Sequence, residues 1–72
     1  MKAPRSLGRR LQLLRKEKGM KQRDVAEILN MTNRNYQRFE YGDIDVTASR
    51  LWFLADYYGV SVDFLLGRSD QR

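Results

Sequence analysis

The sequence predicts an all-α domain of five short helices, and three observations lead to this fold class. Apolar residues recur at three- and four-residue intervals in five separate stretches, which is the spacing of amphipathic helices. Ser or Thr precedes four of the stretches, and Gly or Asn follows every one, as expected of helix caps. The connections are short, and 72 residues suffice for one domain near the lower size limit for an unaided core.

The predicted helices span residues 6–18, 22–29, 33–41, 47–58 and 61–66, with Ser6 expected to cap the first of them. We expect the folded domain to cover residues 6–67, with a flexible basic arm at 1–5 and a tail at 68–72. The predicted core consists of the apolar residues on the inner helix faces: Leu7, Leu11, Leu14, Met20, Val25, Ala26, Leu29, Tyr36, Phe39, Ala48, Leu51, Leu54, Ala55, Tyr58, Val62, Leu65 and Leu66. The pattern does not decide whether Phe64 belongs to this set.

The composition argues against an enzyme. The chain contains neither His nor Cys, so it lacks disulfides, thiolate metal ligands and the commonest general base near neutral pH. We therefore expect no catalytic residues, no cofactor, no metal and no small-molecule ligand. No apolar run is long enough to span a membrane, and the N-terminus has no apolar signal-peptide region, which predicts a cytoplasmic protein.

Charge is unevenly distributed along the chain. Residues 1–40 contain eleven Lys or Arg and four acids, a balance of +7, whereas residues 41–72 contain three basic residues and five acids, a balance of −2. Such asymmetry suggests one end that faces a polyanion. A charged surface that only keeps a small protein soluble explains the numbers about equally well, so charge alone does not decide between the two.

Residues 22–42 resolve this ambiguity, because they read as two helices joined by a tight turn. The outer arc of the second of these helices, the third helix of the chain, carries only amide, guanidinium and phenol groups. These are the groups that read base edges, with Asn or Gln pairing with adenine and Arg with guanine. A merely solvated helix face usually carries Glu and Lys, and this arc has no acid. We therefore favour base reading by this arc, which consists of Asn33, Arg34, Gln37, Arg38 and Tyr41.

The order of these motifs resembles the helix-turn-helix domain of the phage lambda-type repressors and Cro proteins, the XRE-like regulators. The resemblance runs from about Leu7 to Gly67. It is carried by LGRRLQLLRKEKGMKQRDVAEIL, by MTNRNYQRFEYG and by LADYYGVSVDFLLG. It implies a compact five-helix, lambda-repressor-like DNA-binding domain with its helix-turn-helix at helices 2 and 3.

The resemblance also implies roles for individual residues. The family's base-reading positions fall on Asn33, Arg34, Asn35 and, one turn later, Arg38, to which the outer arc adds Gln37. The family's phosphate-binding Gln at the start of the second helix falls on Gln22, and its structural ion pair falls on Arg15 and Glu40. Together with the residues that flank the two helices, the expected contacts to DNA phosphates are Lys21, Gln22, Arg23, Thr32, Tyr41 and Arg50.

The chain departs from the family pattern in three places. Lys21 replaces the usual Ser or Thr before the second helix, which predicts a poorly capped helix. The loop after the third helix, GDIDV, contains two acids where relatives are often basic, which predicts weaker attraction of the DNA backbone there. Phe53 stands where a charged residue is common. With Trp52 and Tyr57 it forms an apolar patch that we interpret as a partner surface, most simply for a second copy of the chain.

These features predict a sequence-specific DNA-binding transcriptional regulator, of repressor or Cro type, from a phage or prokaryote. It is expected to bind double-stranded DNA as a homodimer on a palindromic operator, with recognition helices about 34 Å apart. The chain offers no room for a separate sensor domain, so a switch would act through a partner, through protein level or through a longer parent chain. The alternative is a protein-interaction module, such as an antitoxin, that uses the patch at residues 52, 53 and 57.

Overall fold

The computed structural model describes residues 5–72, which form five α-helices and confirm the predicted fold class. The helices are α1 (Arg5–Glu17), α2 (Gln22–Ile28), α3 (Asn33–Tyr41), α4 (Ala48–Tyr58) and α5 (Val62–Leu65). Each predicted boundary lies within one residue of the observed one. Of the predicted basic arm, residues 1–4 lie outside the described part of the chain, and Arg5 begins α1.

The caps of α3, α4 and α5 are those the sequence predicts. The hydroxyls of Thr32, Thr47 and Ser61 accept hydrogen bonds from the backbone N–H three residues on, at 3.2, 3.4 and 3.0 Å. These bonds satisfy N–H groups that have no partner inside the helix. At the other ends, Asn30 after α2 has a φ of 56° and Gly42 after α3 a φ of 79°, in the left-handed region that Asn and Gly tolerate best.

The core draws side chains from all five helices. In the part of the chain that the structure describes, twelve apolar residues are buried: Leu7, Leu11, Leu14, Val25, Ala26, Leu29, Tyr36, Phe39, Leu54, Ala55, Phe64 and Leu65. Ala48 was expected among them, but it is exposed because it is the first residue of α4, beyond the edge of the core. Phe64 is buried, and the guanidinium of Arg10 lies 4.1 Å from its ring centroid.

The start of α1 is not capped by Ser6, contrary to the sequence prediction. Because α1 begins at Arg5, Ser6 lies inside the helix, and its hydroxyl donates to the carbonyl of Leu66 at 2.9 Å. Two residues on, Gly8 is buried against the backbone of Glu40, where an added Cβ would overlap the Glu40 carbonyl oxygen. The serine therefore joins α1 to the end of α5, and the glycine lets α1 approach α3 closely.

The segment expected to be a tail packs back onto α1. Arg72 forms an ion pair with Glu17 at 2.6 Å, and Arg10 forms one with Asp70 at 2.9 Å. The backbone N–H of Ser61 donates to the carbonyl of Arg72 at 2.7 Å, which continues the contact to the start of α5. Within residues 5–72, none of the helices combines the length and the apolar character that crossing a bilayer requires.

Candidate nucleic-acid interface

The outer face of α3 brings the five predicted base-reading residues together. The side chains of Asn33, Arg34, Asn35 and Arg38 are exposed, and that of Gln37 is half-buried. At 100° per residue, Arg34 and Arg38 lie one turn apart at the centre of this face. The face carries no carboxylate, because the acid of this helix, Glu40, points inward with 2 % of its side chain exposed.

The inner face of α3 is anchored by aromatic packing. Tyr36 is fully buried and Phe39 nearly so, and their rings meet edge to face with centroids 6.2 Å apart. Edge-to-face pairs place the positive edge of one ring against the negative face of the other, which fixes their relative orientation. The helix therefore holds its outer side chains in one direction relative to the rest of the domain.

A buried ion pair secures the C-terminal half of α3. Nε of Arg15 donates to Oε2 of Glu40 at 2.7 Å, and a second guanidinium nitrogen donates to Oε1 at 3.0 Å. A third nitrogen of the Arg15 guanidinium donates to the carbonyl of Met20 at 3.0 Å, so the same side chain also holds the turn after α1. Hydrogen bonding to Glu40 raises the pKa of Arg15, which keeps the guanidinium charged.

The predicted phosphate contact Gln22 is tied to this pair. Its Nε2 donates to Oε1 of Glu40 at 3.1 Å, and the side chain is half-buried. With one donor directed inward, the glutamine has less freedom to turn toward DNA than a surface residue. Glu40 thus connects α1, α2 and α3 through a single carboxylate.

The first turn of α2 contains a residue that sequence reasoning missed. The carboxylate of Asp24 accepts the backbone N–H of Lys21 at 2.8 Å, which is one half of a capping box. The Lys21 side chain forms no capping hydrogen bond, in keeping with the poorly capped helix that the sequence predicts. An acid three residues after the cap position was the available sequence signal. Lys21 and Arg23, two predicted phosphate contacts, are exposed on either side of Gln22.

A cleft of about 390 Å³ separates the start of α3 from the start of α4. It is lined by Thr32 and Asn35 on one side and by Arg50 and Asp45 on the other. Thr32 is exposed, and although its oxygen accepts a capping bond, its hydroxyl hydrogen remains free to donate to a phosphate. Arg50, a predicted phosphate contact, lines this cleft beside the start of α3, where it shares the lining with Asp45 of the loop. Tyr41, at the end of α3, is 67 % exposed.

Two buried tyrosine hydroxyls lie near the ion pair. The hydroxyls of Tyr36 and Tyr58 have no hydrogen-bond partner within the described residues. Burial, with a further contribution from the negative charge of Glu40, raises the pKa of Tyr36 far above its usual value and that of Tyr58 to about 12. Both phenols therefore stay neutral over the physiological range.

The predicted partner surface is divided in two. Phe53 and Tyr57 stack with ring centroids 6.1 Å apart, and the hydroxyl of Tyr57 donates to the sulfur of Met20 at 3.5 Å. Tyr57 is therefore held by the domain's own packing, whereas Phe53 remains 43 % exposed. Trp52 is 69 % exposed and borders a separate groove between α4 and α5.

Residues 11–65 match the sequence model of a helix-turn-helix family, and the two helices of that motif are α2 and α3. The chain belongs to this helix-turn-helix family. It is 38 % identical over 65 residues to the HTH-type transcriptional regulator ImmR of Bacillus subtilis (strain 168), covering 90 % of the chain and 51 % of ImmR. It is 37 % identical over 59 residues to the SPbeta prophage-derived HTH-type regulator YonR of the same organism, covering 82 % and 55 %.

Among solved structures, the chain is similar to the S. venezulae BldD DNA-binding domain. The TM-score is 0.68 at 35 % identity, and the match covers 85 % of this chain and 91 % of that domain. The chain therefore spans about half the length of the two Bacillus regulators but nearly the whole of the BldD DNA-binding domain.

Proposed function

We propose that this protein is a sequence-specific DNA-binding transcriptional regulator of repressor or Cro type that acts in the cytoplasm. The observation that carries the proposal is the outer face of α3, where amide and guanidinium groups are exposed without an acid while the inner face is fixed by buried aromatics and an ion pair. The similarity to proteins named as transcriptional regulators supports this function over a protein-interaction module.

In this mechanism α3 enters the major groove. Arg34 and Arg38, at the centre of the face, are suited to guanine O6 and N7, while Asn33, Asn35 and Gln37 at its edges are suited to adenine N6 and N7. Lys21 and Arg23 at the start of α2 contact phosphates and set the register of the protein on the duplex. The carboxylate of Asp45 lies in the same cleft as Arg50 and weakens the attraction of Arg50 for a phosphate. The affinity for DNA therefore rests mainly on α2 and α3.

We further propose that two copies bind a palindromic operator. Half-sites one helical turn apart, about 34 Å, place the two recognition helices in successive major grooves on one side of the duplex. Repression then follows because the bound pair occludes polymerase.

Selection of bound sequences from a random duplex pool tests this proposal. We expect an enriched palindrome and an affinity that falls steeply as salt rises, because phosphate contacts release counterions. Arg38→Ala should lose about 1–3 kcal/mol of discrimination at one base pair, whereas the control Lys21→Ala should weaken binding to all sequences and lower the salt slope by about 1. If no duplex is enriched and binding shows no dependence on salt, the protein is not a DNA-binding regulator.

A further inference from the structure

The groove between α4 and α5 lies beside the largest exposed aromatic side chain of the domain. It has a volume of about 200 Å³ and is lined by Trp52, Ala55, Asp56, Val60, Ser61 and Val62. Its floor is apolar, and its polar groups are the carboxylate of Asp56 and the hydroxyl of Ser61. Trp52 borders the groove but leaves 69 % of its own surface to solvent.

We infer that this groove receives Trp52 of a second copy of the chain. A two-fold pair brings the same patch of both copies together, so a projecting group must meet a recess on the same face. Here Trp52 itself lines one side of the groove, so a two-fold axis beside it would bring each tryptophan to the other copy's groove. A face that carries both a projecting tryptophan and a recess can complement itself. It therefore fits a second copy of the chain better than an unrelated partner, which would need only the tryptophan or only the recess.

The hydrogen-bonding groups of the groove also fit an indole. An indole has one N–H donor and no acceptor. The Ser61 oxygen already accepts the backbone N–H of Phe64 at 3.0 Å, whereas Asp56 is exposed and forms no ion pair within residues 5–72. The carboxylate of Asp56 is thus the acceptor available to the partner's Trp52 N–H, and each interface would contain two such bonds.

The exposed area indicates a weak pair. A Trp or Phe buries roughly 150–250 Å², so the exposed parts of Trp52 and the neighbouring Phe53 offer on the order of 200 Å². A stable interface buries about 800 Å² per partner. The aromatic contact therefore acts as the centre of a small interface, and DNA binding by both copies would strengthen it. This inference rests on the proposed binding of two copies to DNA. Because the tryptophan contact is tested without DNA, a failure of that contact can be told apart from a failure of DNA binding.

Trp52 is the single tryptophan of the chain, so its fluorescence reports directly on this contact. On raising the protein concentration toward about 1 mM, we expect the emission to shift to shorter wavelength and acrylamide quenching to decrease, in parallel with dimer formation by sedimentation. Trp52→Ala should raise the dissociation constant at least about tenfold, as is typical of a central aromatic. Leu13→Ala, which removes an exposed apolar side chain from α1, is the matched control and should have no effect.

Mixing two defective variants provides the sharper test. Trp52→Ala lacks the inserting ring and one wall of the groove but keeps the other five residues that line it, and Asp56→Arg keeps the ring but blocks the groove. Neither homodimer has an intact contact, whereas a mixed pair has one. We expect the mixture to associate at least about tenfold more tightly than either variant alone, with both variants folded by circular dichroism. A wild-type monomer throughout this concentration range, an unchanged dissociation constant for Trp52→Ala, or a mixture no tighter than its components would overturn the inference.

Discussion

Removal of the Glu40 carboxylate by Glu40→Ala should be among the most destabilising single changes in this domain. The carboxylate accepts three hydrogen bonds, two from Arg15 and one from Gln22, and its side chain is 2 % exposed. Without it, the buried guanidinium of Arg15 keeps only the carbonyl of Met20 as a partner. A charge left buried without compensation is the main physical loss.

The expected loss is large relative to the whole stability. Breaking a buried pair by removing one partner costs about 3–5 kcal/mol. At roughly 0.05–0.15 kcal/mol per residue, a chain of 72 residues has a total free energy of unfolding of about 4–11 kcal/mol. For a domain of this size each 1 kcal/mol lowers Tm by about 4–8 °C, so Glu40→Ala should lower Tm by roughly 12–40 °C.

Urea unfolding followed by far-ultraviolet circular dichroism measures this effect. The double variant Arg15→Met/Glu40→Leu serves as the control, because replacing both charges by apolar groups of similar size is often neutral. The double variant should recover most of the stability that the single variant loses. If Glu40→Ala lies within about 1 kcal/mol of wild type, or if the double variant is no more stable than the single one, the argument from an uncompensated charge is wrong.

Two further predictions concern backbone packing and pH. Gly8→Ala should destabilise the domain by about 1–3 kcal/mol despite the higher helix propensity of Ala. The new Cβ would overlap the carbonyl oxygen of Glu40 and lie 2.8 Å from its carbonyl carbon. Thermal unfolding measures the effect, and an unchanged or higher Tm would contradict the close approach of α1 and α3. The unfolding free energy should fall as pH rises from about 10 to about 12, because the unfolded chain releases the Tyr58 proton near its usual pKa of about 10 while burial raises the folded pKa to about 12. Tyr58→Phe should make the alkaline fall in unfolding free energy shallower, and the remaining fall comes from Tyr36. The same variant should change stability at pH 7 by less than about 1 kcal/mol, because the Tyr58 hydroxyl makes no hydrogen bond. An equally steep alkaline loss of stability in the variant would show that Tyr58 is not its source.

The helices and most of the core could be predicted because local rules determine them. The caps at Thr32, Thr47 and Ser61 and the apolar spacing of α1 to α3 are visible in a few consecutive residues, and the structure follows them closely. The clustering of polar groups on α3 follows from helical periodicity alone. The Arg15–Glu40 pairing came from the family resemblance, since no local pattern links residues 25 positions apart.

Contacts between distant segments could not be predicted from the sequence. Ser6 looked like a cap because it precedes an apolar repeat, yet its hydroxyl bonds a carbonyl 60 residues away. Residues 68–72 were expected to be a tail beyond the folded domain, yet Arg72 and Asp70 pair with charges on α1. Phe64 was ambiguous because a helix of four residues has too few positions to define a face. In each case the deciding partner lies elsewhere in the chain.

On α3, the residues that anchor the helix are different from the residues that face solvent, and this separation has a consequence for evolution. Anchoring is concentrated in Tyr36, Phe39 and Glu40, whose side chains point inward, while Arg34 and Arg38 extend into solvent and contribute little to packing. Surface substitutions of this kind usually change stability by less than about 0.5 kcal/mol. A lineage can therefore exchange the outward residues, and with them the preferred operator, without first acquiring compensating changes in the scaffold. New regulatory specificities become accessible by single steps, each of which leaves a folded protein.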